Sequence, residues 1–156
     1  MAKKVTIGEP LPDIEVQATG GERFRLPTLT GRRVVLYFYP KDNTPGCTLE
    51  GKDFRDHYAA FKKLKTVVYG ISRDRLAAHE KFKAKYEFPF ELIADEDEKL
   101  CKAFGVINEK SLYGRIFLGL TRSTFVFDDK GILRKEYRGV KVSGHVPEVL
   151  EEIKKL

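Results

Sequence analysis

The run Val34-Val35-Leu36-Tyr37-Phe38-Tyr39 is apolar at every position and is stopped by Pro40. A strand without a polar face is buried on both sides, as at the centre of a sheet covered by helices. Val67-Val68-Tyr69-Gly70-Ile71, ending at Ser72, reads the same way. Residues 14–18 and 22–26 flank Thr19-Gly20-Gly21 and predict an N-terminal hairpin. Phe125-Val126-Phe127 predicts a further strand, joined by the turn Asp128-Asp129-Lys130-Gly131 to a partner over 132–137. Helical spacing occupies the intervals. From Cys47 onward, Phe54, Tyr58 and Phe61 recur on one face, and after Asp74 so do Leu76, His79, Phe82 and Tyr86. Asp95 with Glu98 reads as a capping box opening a short helix over 96–104, closed by Gly105. At the C-terminus Val146, Val149, Leu150, Ile153 and Leu156 form one apolar stripe. Pro147 and Glu148 in its first turn and Lys154 and Lys155 in its last match the helix dipole.

The order ββ, β, α, β, α, α, ββ, α describes an α/β protein: a central mixed sheet flanked by helices. A thioredoxin-like architecture with an N-terminal β-hairpin extension fits that order, and the pattern alone leaves other α/β folds open. With no repeat, low-complexity tract or linker, residues 1–156 read as a single domain, and 156 residues suffice to bury a core.

Composition narrows the function classes. No apolar run approaches the roughly 18 residues of a membrane span. The opening Met1-Ala2-Lys3-Lys4-Val5 carries charge with no apolar stretch behind it, unlike a secretory signal. Two cysteines are too few for a stapled secreted scaffold, so a reducing compartment, the cytoplasm, is expected. The net charge of +6 is spread among acids, as in Lys52-Asp53-Phe54-Arg55-Asp56, and no nucleic-acid motif accompanies it.

The chemistry concentrates between Tyr37 and Asp56. A buried strand gives way to Pro40-Lys41-Asp42-Asn43-Thr44-Pro45-Gly46-Cys47 and then to an amphipathic helix. Thr44 is a natural N-cap and Pro45 suits the first helical position. Cys47 therefore falls in the first helical turn at the carboxyl end of a central strand, the edge where open α/β sheets bind ligands. A free cysteine ionises only near pH 8.5, but unclaimed N–H groups and the helix dipole stabilise an anion at this position. The bland alternative, a small buried hydrophobe, suits a helix-opening Thr-Pro-Gly-Cys poorly.

Pro40, Thr44 and Cys47 reproduce the Pro-x-x-x-Thr-x-x-Cys motif, and the longer string from Tyr37 to Glu50 resembles the Q-type, or bacterioferritin-comigratory, branch of the peroxiredoxins. Gly70-Ile71-Ser72-Arg73-Asp74 and Arg122-Ser123-Thr124-Phe125 resemble that branch too, so the likeness spans nearly the whole chain. It implies a thioredoxin-like fold and a thiol peroxidase that reduces hydrogen peroxide and organic hydroperoxides without metal or organic cofactor. By the same resemblance Cys47 attacks the peroxide, Thr44 orients it and Arg122 stabilises the thiolate and the departing oxygen. Pro40 shields the site, backbone N–H groups near Gly46 and Cys47 bind the peroxide, and Glu50 aims an arginine. A reducing partner is implied, whether thioredoxin, glutaredoxin or a small thiol, as is a monomer or weak homodimer.

The chain departs from the branch in its second cysteine. Many members place a resolving cysteine five residues after the first, where this chain has Lys52, and others place it on the next helix, which here contains none. Cys101 is the remaining candidate, and its neighbours Leu100 and Phe104 equally suit a packed core residue. The histidines His57, His79 and His145 show no paired metal spacing and read as helix-surface or partly packed residues. A Cys–His hydrolase pair needs only proximity in space and is not favoured by any local pattern. A thiol–disulfide oxidoreductase would want Cys-x-x-Cys, which Thr44-Pro45-Gly46-Cys47 lacks, and a non-catalytic binding module would not need Thr44, Cys47 and Arg122 together. Residues 111–120 are apolar and read as a pocket wall, a subunit contact or ordinary core.

Overall fold

The computed structural model describes residues 5–156; the charged start, Met1 to Lys4, lies outside them. Strand β3 (Arg33–Phe38) runs through the middle of a seven-stranded sheet. It pairs in parallel with β4 (Thr66–Ser72) on one side and antiparallel with β8 (Ser123–Phe127) on the other. Beyond β4 lies the parallel β5 (Glu91–Ala94), and beyond β8 the antiparallel β9 (Leu133–Arg138). The N-terminal hairpin, β1 (Glu15–Ala18) and β2 (Glu22–Arg25), joins this sheet through β1, which pairs antiparallel with β5. The sheet is thus mixed, in the order β2-β1-β5-β4-β3-β8-β9.

Alternation along β3 divides the core into two layers. Val35 and Tyr37, with Tyr39 just beyond the strand, face α1 (Pro45–Asp56), α2 (Tyr58–Lys63), α3 (Leu76–Tyr86) and α5 (His145–Lys154). Phe54, Phe61, Phe82, Val149 and Ile153 close that side. Val34, Leu36 and Phe38 face the opposite side, against α4 (Lys99–Ala103), the 3₁₀ turn at Leu26–Leu29 and the N-terminal segment. Both clusters are buried, which is why the strand reads as apolar throughout.

Two local expectations are corrected, one strand is added and one open reading is narrowed. The helix read as continuous from Cys47 through Phe61 breaks at His57, whose N–H and ring Nδ1 both meet the Asp53 carbonyl. The apolar spacing survives the break because Phe54, Tyr58 and Phe61 still face the core. Asp95 and Glu98 form no capping box: Glu98 is left-handed at φ 63°, α4 begins at Lys99, and the Asp95 carboxylate instead accepts the N–H groups of Leu100 and Cys101. Strand β5 escaped the pattern because only four residues of it are ladder-paired. Residues 107–120 lie mostly outside the core, which they enter only at their ends, through Leu120 and the partly buried Ile107. They form an outlying hairpin of β6 (Ile107–Leu112) and β7 (Arg115–Leu120), with Leu112, Tyr113, Ile116, Phe117 and Leu118 exposed.

Candidate active site

The six residues 39–44 join the end of β3 to α1, whose first turn therefore sits at the carboxyl edge of the sheet. Thr44 occupies the N-cap position with extended backbone, Pro45 is the first helical residue, and Cys47 follows with its side chain turned inward and buried. The expected cap by the Thr44 hydroxyl is not formed; that hydroxyl donates to the Lys41 carbonyl at 2.8 Å. The Thr48 N–H takes the Thr44 carbonyl at 2.9 Å. Since Pro45 has no N–H, the Gly46 and Cys47 amides are the first-turn donors without an intrahelical acceptor. Pro40 is half-buried directly after β3.

Arg122 lies just before β8, the antiparallel neighbour of β3, and its carbonyl is fixed by the Val140 N–H at 2.9 Å. Its guanidinium donates through Nη2 to Cys47 Sγ at 3.3 Å and through Nη1 to Glu50 Oε1 at 2.6 Å. Glu50 stands one helical turn after Cys47, which puts both side chains on the buried face of α1. Gly46 makes room for this approach: a Cβ there would lie 3.1 Å from Arg122 Nη2. Arg122, Cys47, Glu50, Gly46 and Thr44 thus gather at one sheet edge from segments some 70 residues apart in sequence.

Burial pushes the Glu50 carboxyl up to about 7 against the pull of Arg122. Burial also acts against the Arg122 charge, but Glu50 and Cys47 outweigh it and hold the guanidinium above its ordinary value. The two partners respond differently because Glu50 is wholly enclosed while Arg122 keeps an exposed edge. Among the described residues, Glu50 Oε2 and the Tyr37 hydroxyl are buried without a hydrogen-bond partner. Nearby, burial and then Arg122 push His145 down to about 4, so it is a neutral imidazole at physiological pH, bonded to the Thr124 hydroxyl at 2.8 Å.

Cys101 does not join the group. It belongs to the cluster on the far side of β3, with Leu100 and Phe104, whereas Cys47 belongs to the near side. The sheet lies between the two clusters, whereas a disulfide needs Cα atoms roughly 4.4–6.8 Å apart. Burial and then Asp95 push the Cys101 thiol far above its ordinary range. Of the three histidines read as helix-surface or partly packed, His57 is half-buried as expected, but His79 and His145 are buried, and His79 meets Asp42 Oδ2 at 2.7 Å. Sequence spacing had no means of showing that contact, because the partners are 37 residues apart. Two hints were present in the pattern: His79 lies on the apolar face of α3, and Asp42 follows directly on a buried strand.

A cysteine that opens a helix, enclosed yet held beside a cation, defines a class, that of the thioredoxin-like fold with a site suited to a reactive thiol. Comparison with known proteins narrows the class: the chain belongs to the AhpC/TSA family, whose profile matches residues 7–136. It is 45% identical over 150 residues to peroxiredoxin Bcp of Bacillus subtilis, covering 96% of each chain. The solved structure of Xanthomonas campestris peroxiredoxin Q superposes with a TM-score of 0.90 at 42% identity, covering 97% of this chain and 96% of that one. A second solved structure, described as a trapped intermediate/ligand complex bearing on the alkyl peroxide reduction activity of the Xanthomonas campestris bacterioferritin comigratory protein, matches with the same TM-score of 0.90 at 41% identity over 97% and 96%.

Proposed function

We propose that this chain is a thiol-dependent peroxidase that reduces hydrogen peroxide and small organic hydroperoxides, with Cys47 as the attacking thiolate. The observation that carries the reading is the Arg122 guanidinium shared between Cys47 Sγ at 3.3 Å and Glu50 at 2.6 Å. Enclosure beside a fixed cation and two amides that have no intrahelical acceptor aims donors at the sulfur and at whatever small electrophile it attacks. The sulfur attacks one peroxide oxygen and the O–O bond breaks. That oxygen stays on Cys47 as a sulfenic acid, and the other leaves with a proton as water or alcohol. Arg122 offers charge to the departing oxygen, and the Gly46 and Cys47 amides offer hydrogen bonds. The Thr44 hydroxyl proton is committed to Lys41, so its oxygen serves as acceptor for the hydroperoxide O–H. Pro40 shields this edge from water. Sulfur carries the whole two-electron change, so the step calls for no metal or organic cofactor.

Turnover then depends on an external thiol. With Cys101 behind the sheet and its thiol held protonated, the Cys47 sulfenic acid condenses with a small thiol, glutaredoxin or thioredoxin to a mixed disulfide and water. A second thiol releases Cys47. Such a cycle suits a reducing compartment, the cytoplasm. A monomer or weak homodimer is the form we infer, the exposed β6–β7 hairpin being the apolar surface open to self-association. Peroxide consumption in the presence of dithiothreitol and a chelator tests the core of the proposal. Wild type should be active and Cys47→Ser inert; activity retained in Cys47→Ser, or lost to the chelator, would overturn it.

A further inference from the structure

The loop that carries Pro40 and Thr44 is fastened beneath its surface by a buried polar cluster that the peroxidase reading does not use. Asp42, in the middle of that loop, is buried. Its Oδ1 accepts the Tyr39 hydroxyl at 2.7 Å and its Oδ2 faces His79 Nδ1 at 2.7 Å. The other ring nitrogen, Nε2, faces the Ile93 carbonyl at 2.9 Å. A carbonyl only accepts, so Nε2 carries a proton, and the short Nδ1–Oδ2 contact between two further acceptors requires another proton between them. The Asp42 N–H donates to Asp74 Oδ2 at 2.9 Å, and the same oxygen accepts the Ser72 hydroxyl at 2.6 Å. His79, Ser72 and Tyr39 are fully buried, so no water competes for these bonds.

Ligand atoms of Asp42, Asp74 and His79 lie within 4.8 Å of one another, an arrangement that could suggest a metal centre. Both ring nitrogens, both Asp42 oxygens and Asp74 Oδ2 are already bonded within the protein, so the cluster is complete as it stands. Its effect is mechanical. It ties α3, the ends of β3 and β4 and the backbone of β5 to one residue, and that residue is two positions from Thr44. Between them Asn43 is held in the left-handed region at φ 61°, a conformation costing a non-glycine residue roughly 1 kcal/mol. The Asp42 anchor on one side and the bond from Thr44 Oγ1 to the Lys41 carbonyl on the other hold the loop in that shape.

We infer that His79 is a positioning residue for peroxide reduction, acting through Asp42 to hold the Pro40–Thr44 loop over Cys47. The inference rests on the peroxidase reading above and concerns the peroxide step alone. Releasing the anchor lets Thr44 drift from its place, and a misplacement of about 1 Å can cost about a hundredfold in rate. Cys47, held by Arg122 and α1, keeps its place and its reactivity toward other electrophiles.

Two rates measured on the same protein separate these effects: oxidation of Cys47 by hydrogen peroxide, and its alkylation by iodoacetamide, which needs the thiolate but not the loop. His79→Ala and Asp42→Ala should each slow the peroxide step by about ten- to a hundredfold and leave alkylation within about twofold. Because both act through one contact, the double variant should be no slower than the worse single one. Asp42→Asn should recover most of what Asp42→Ala loses. Its amide oxygen still accepts from Tyr39, and its N–H₂ donates to Nδ1 of a ring whose one proton stays on Nε2. If His79→Ala does not fold, the Asp42→Ala and Asp42→Asn pair carries the test. Wild-type peroxide rates in the alanine variants, parallel losses in both reactions, or no recovery in Asp42→Asn would each overturn the inference. Wild type failing to react with peroxide would instead sink the peroxidase reading.

Discussion

Arg122 is shared between two acceptors, Cys47 Sγ at 3.3 Å and the enclosed Glu50 carboxylate at 2.6 Å. Removing its charge while keeping bulk, as in Arg122→Leu, leaves the thiolate without its cation and the departing oxygen without its donor. The peroxide rate should fall about 10²–10³-fold; stopped-flow traces matching wild type would make Arg122 a bystander. Glu50 leads to a pH prediction. Its carboxyl sits at about 7 in the folded protein against an ordinary 4.5, so the folded state binds the proton more tightly than the unfolded chain does. That contribution to stability is fully present below about 4.5 and is lost as pH rises through about 7. The change is on the order of 3 kcal/mol. Urea unfolding across that window should show stability declining with pH in wild type and a flatter profile in Glu50→Gln, which keeps a carbonyl for Arg122. Identical profiles in the two proteins would remove Glu50 as the cause.

Among the elements, α1 carries the site and was the most legible part of the sequence. Its start is written in adjacent residues: Thr44 at the N-cap, Pro45 at the first position, and an apolar face through Phe54. What could not be read was of two kinds. Where a side chain had competing local partners the choice was hidden: Thr44 gives its hydroxyl to Lys41 rather than to the helix, and His57 turns its ring to the Asp53 carbonyl. Where a distant segment decides, as for β5, which exists because β1 and β4 provide edges for four residues, no local pattern could show it. Gly51 is another such case. A Cβ at that position would lie 2.5 Å from the Phe88 ring, which itself packs against Phe82, Tyr86 and Phe90. Alanine is favoured over glycine within a helix by about 1 kcal/mol, while overpacking a well-filled core costs about 1–3 kcal/mol. The ring has little freedom to move, so Gly51→Ala should be net destabilising. A midpoint of urea unfolding at or above wild type would mean that the ring gives way.

At the scale of the molecule, the sheet keeps the two cysteines apart. The fold class and the set Thr44, Cys47 and Arg122 were legible because the motif and its downstream strand lie at characteristic intervals. The position of Cys101 was not, since an apolar neighbourhood describes either face of a sheet equally well. Only the alternation along β3, with Val34, Leu36 and Phe38 toward Cys101 and Val35 and Tyr37 toward Cys47, shows that they belong to different layers. The apolar segment 111–120 stayed open between pocket wall, subunit contact and core for a related reason: most of its hydrophobic residues are exposed, while Leu120 reaches the layer that holds Cys101.

Intact-mass spectrometry with peptide mapping, after one equivalent of hydrogen peroxide and before any thiol is added, tests most directly the claim that Cys47 alone reacts and waits for an external reductant. Wild type and Cys101→Ser should both gain a single oxygen located on Cys47, convertible by a small thiol to a mixed disulfide, and Cys47→Ser should gain none. An unmodified wild type would contradict the attack by Cys47, and a product two hydrogens lighter, mapping to a Cys47–Cys101 disulfide, would contradict the separation of the two thiols by the sheet.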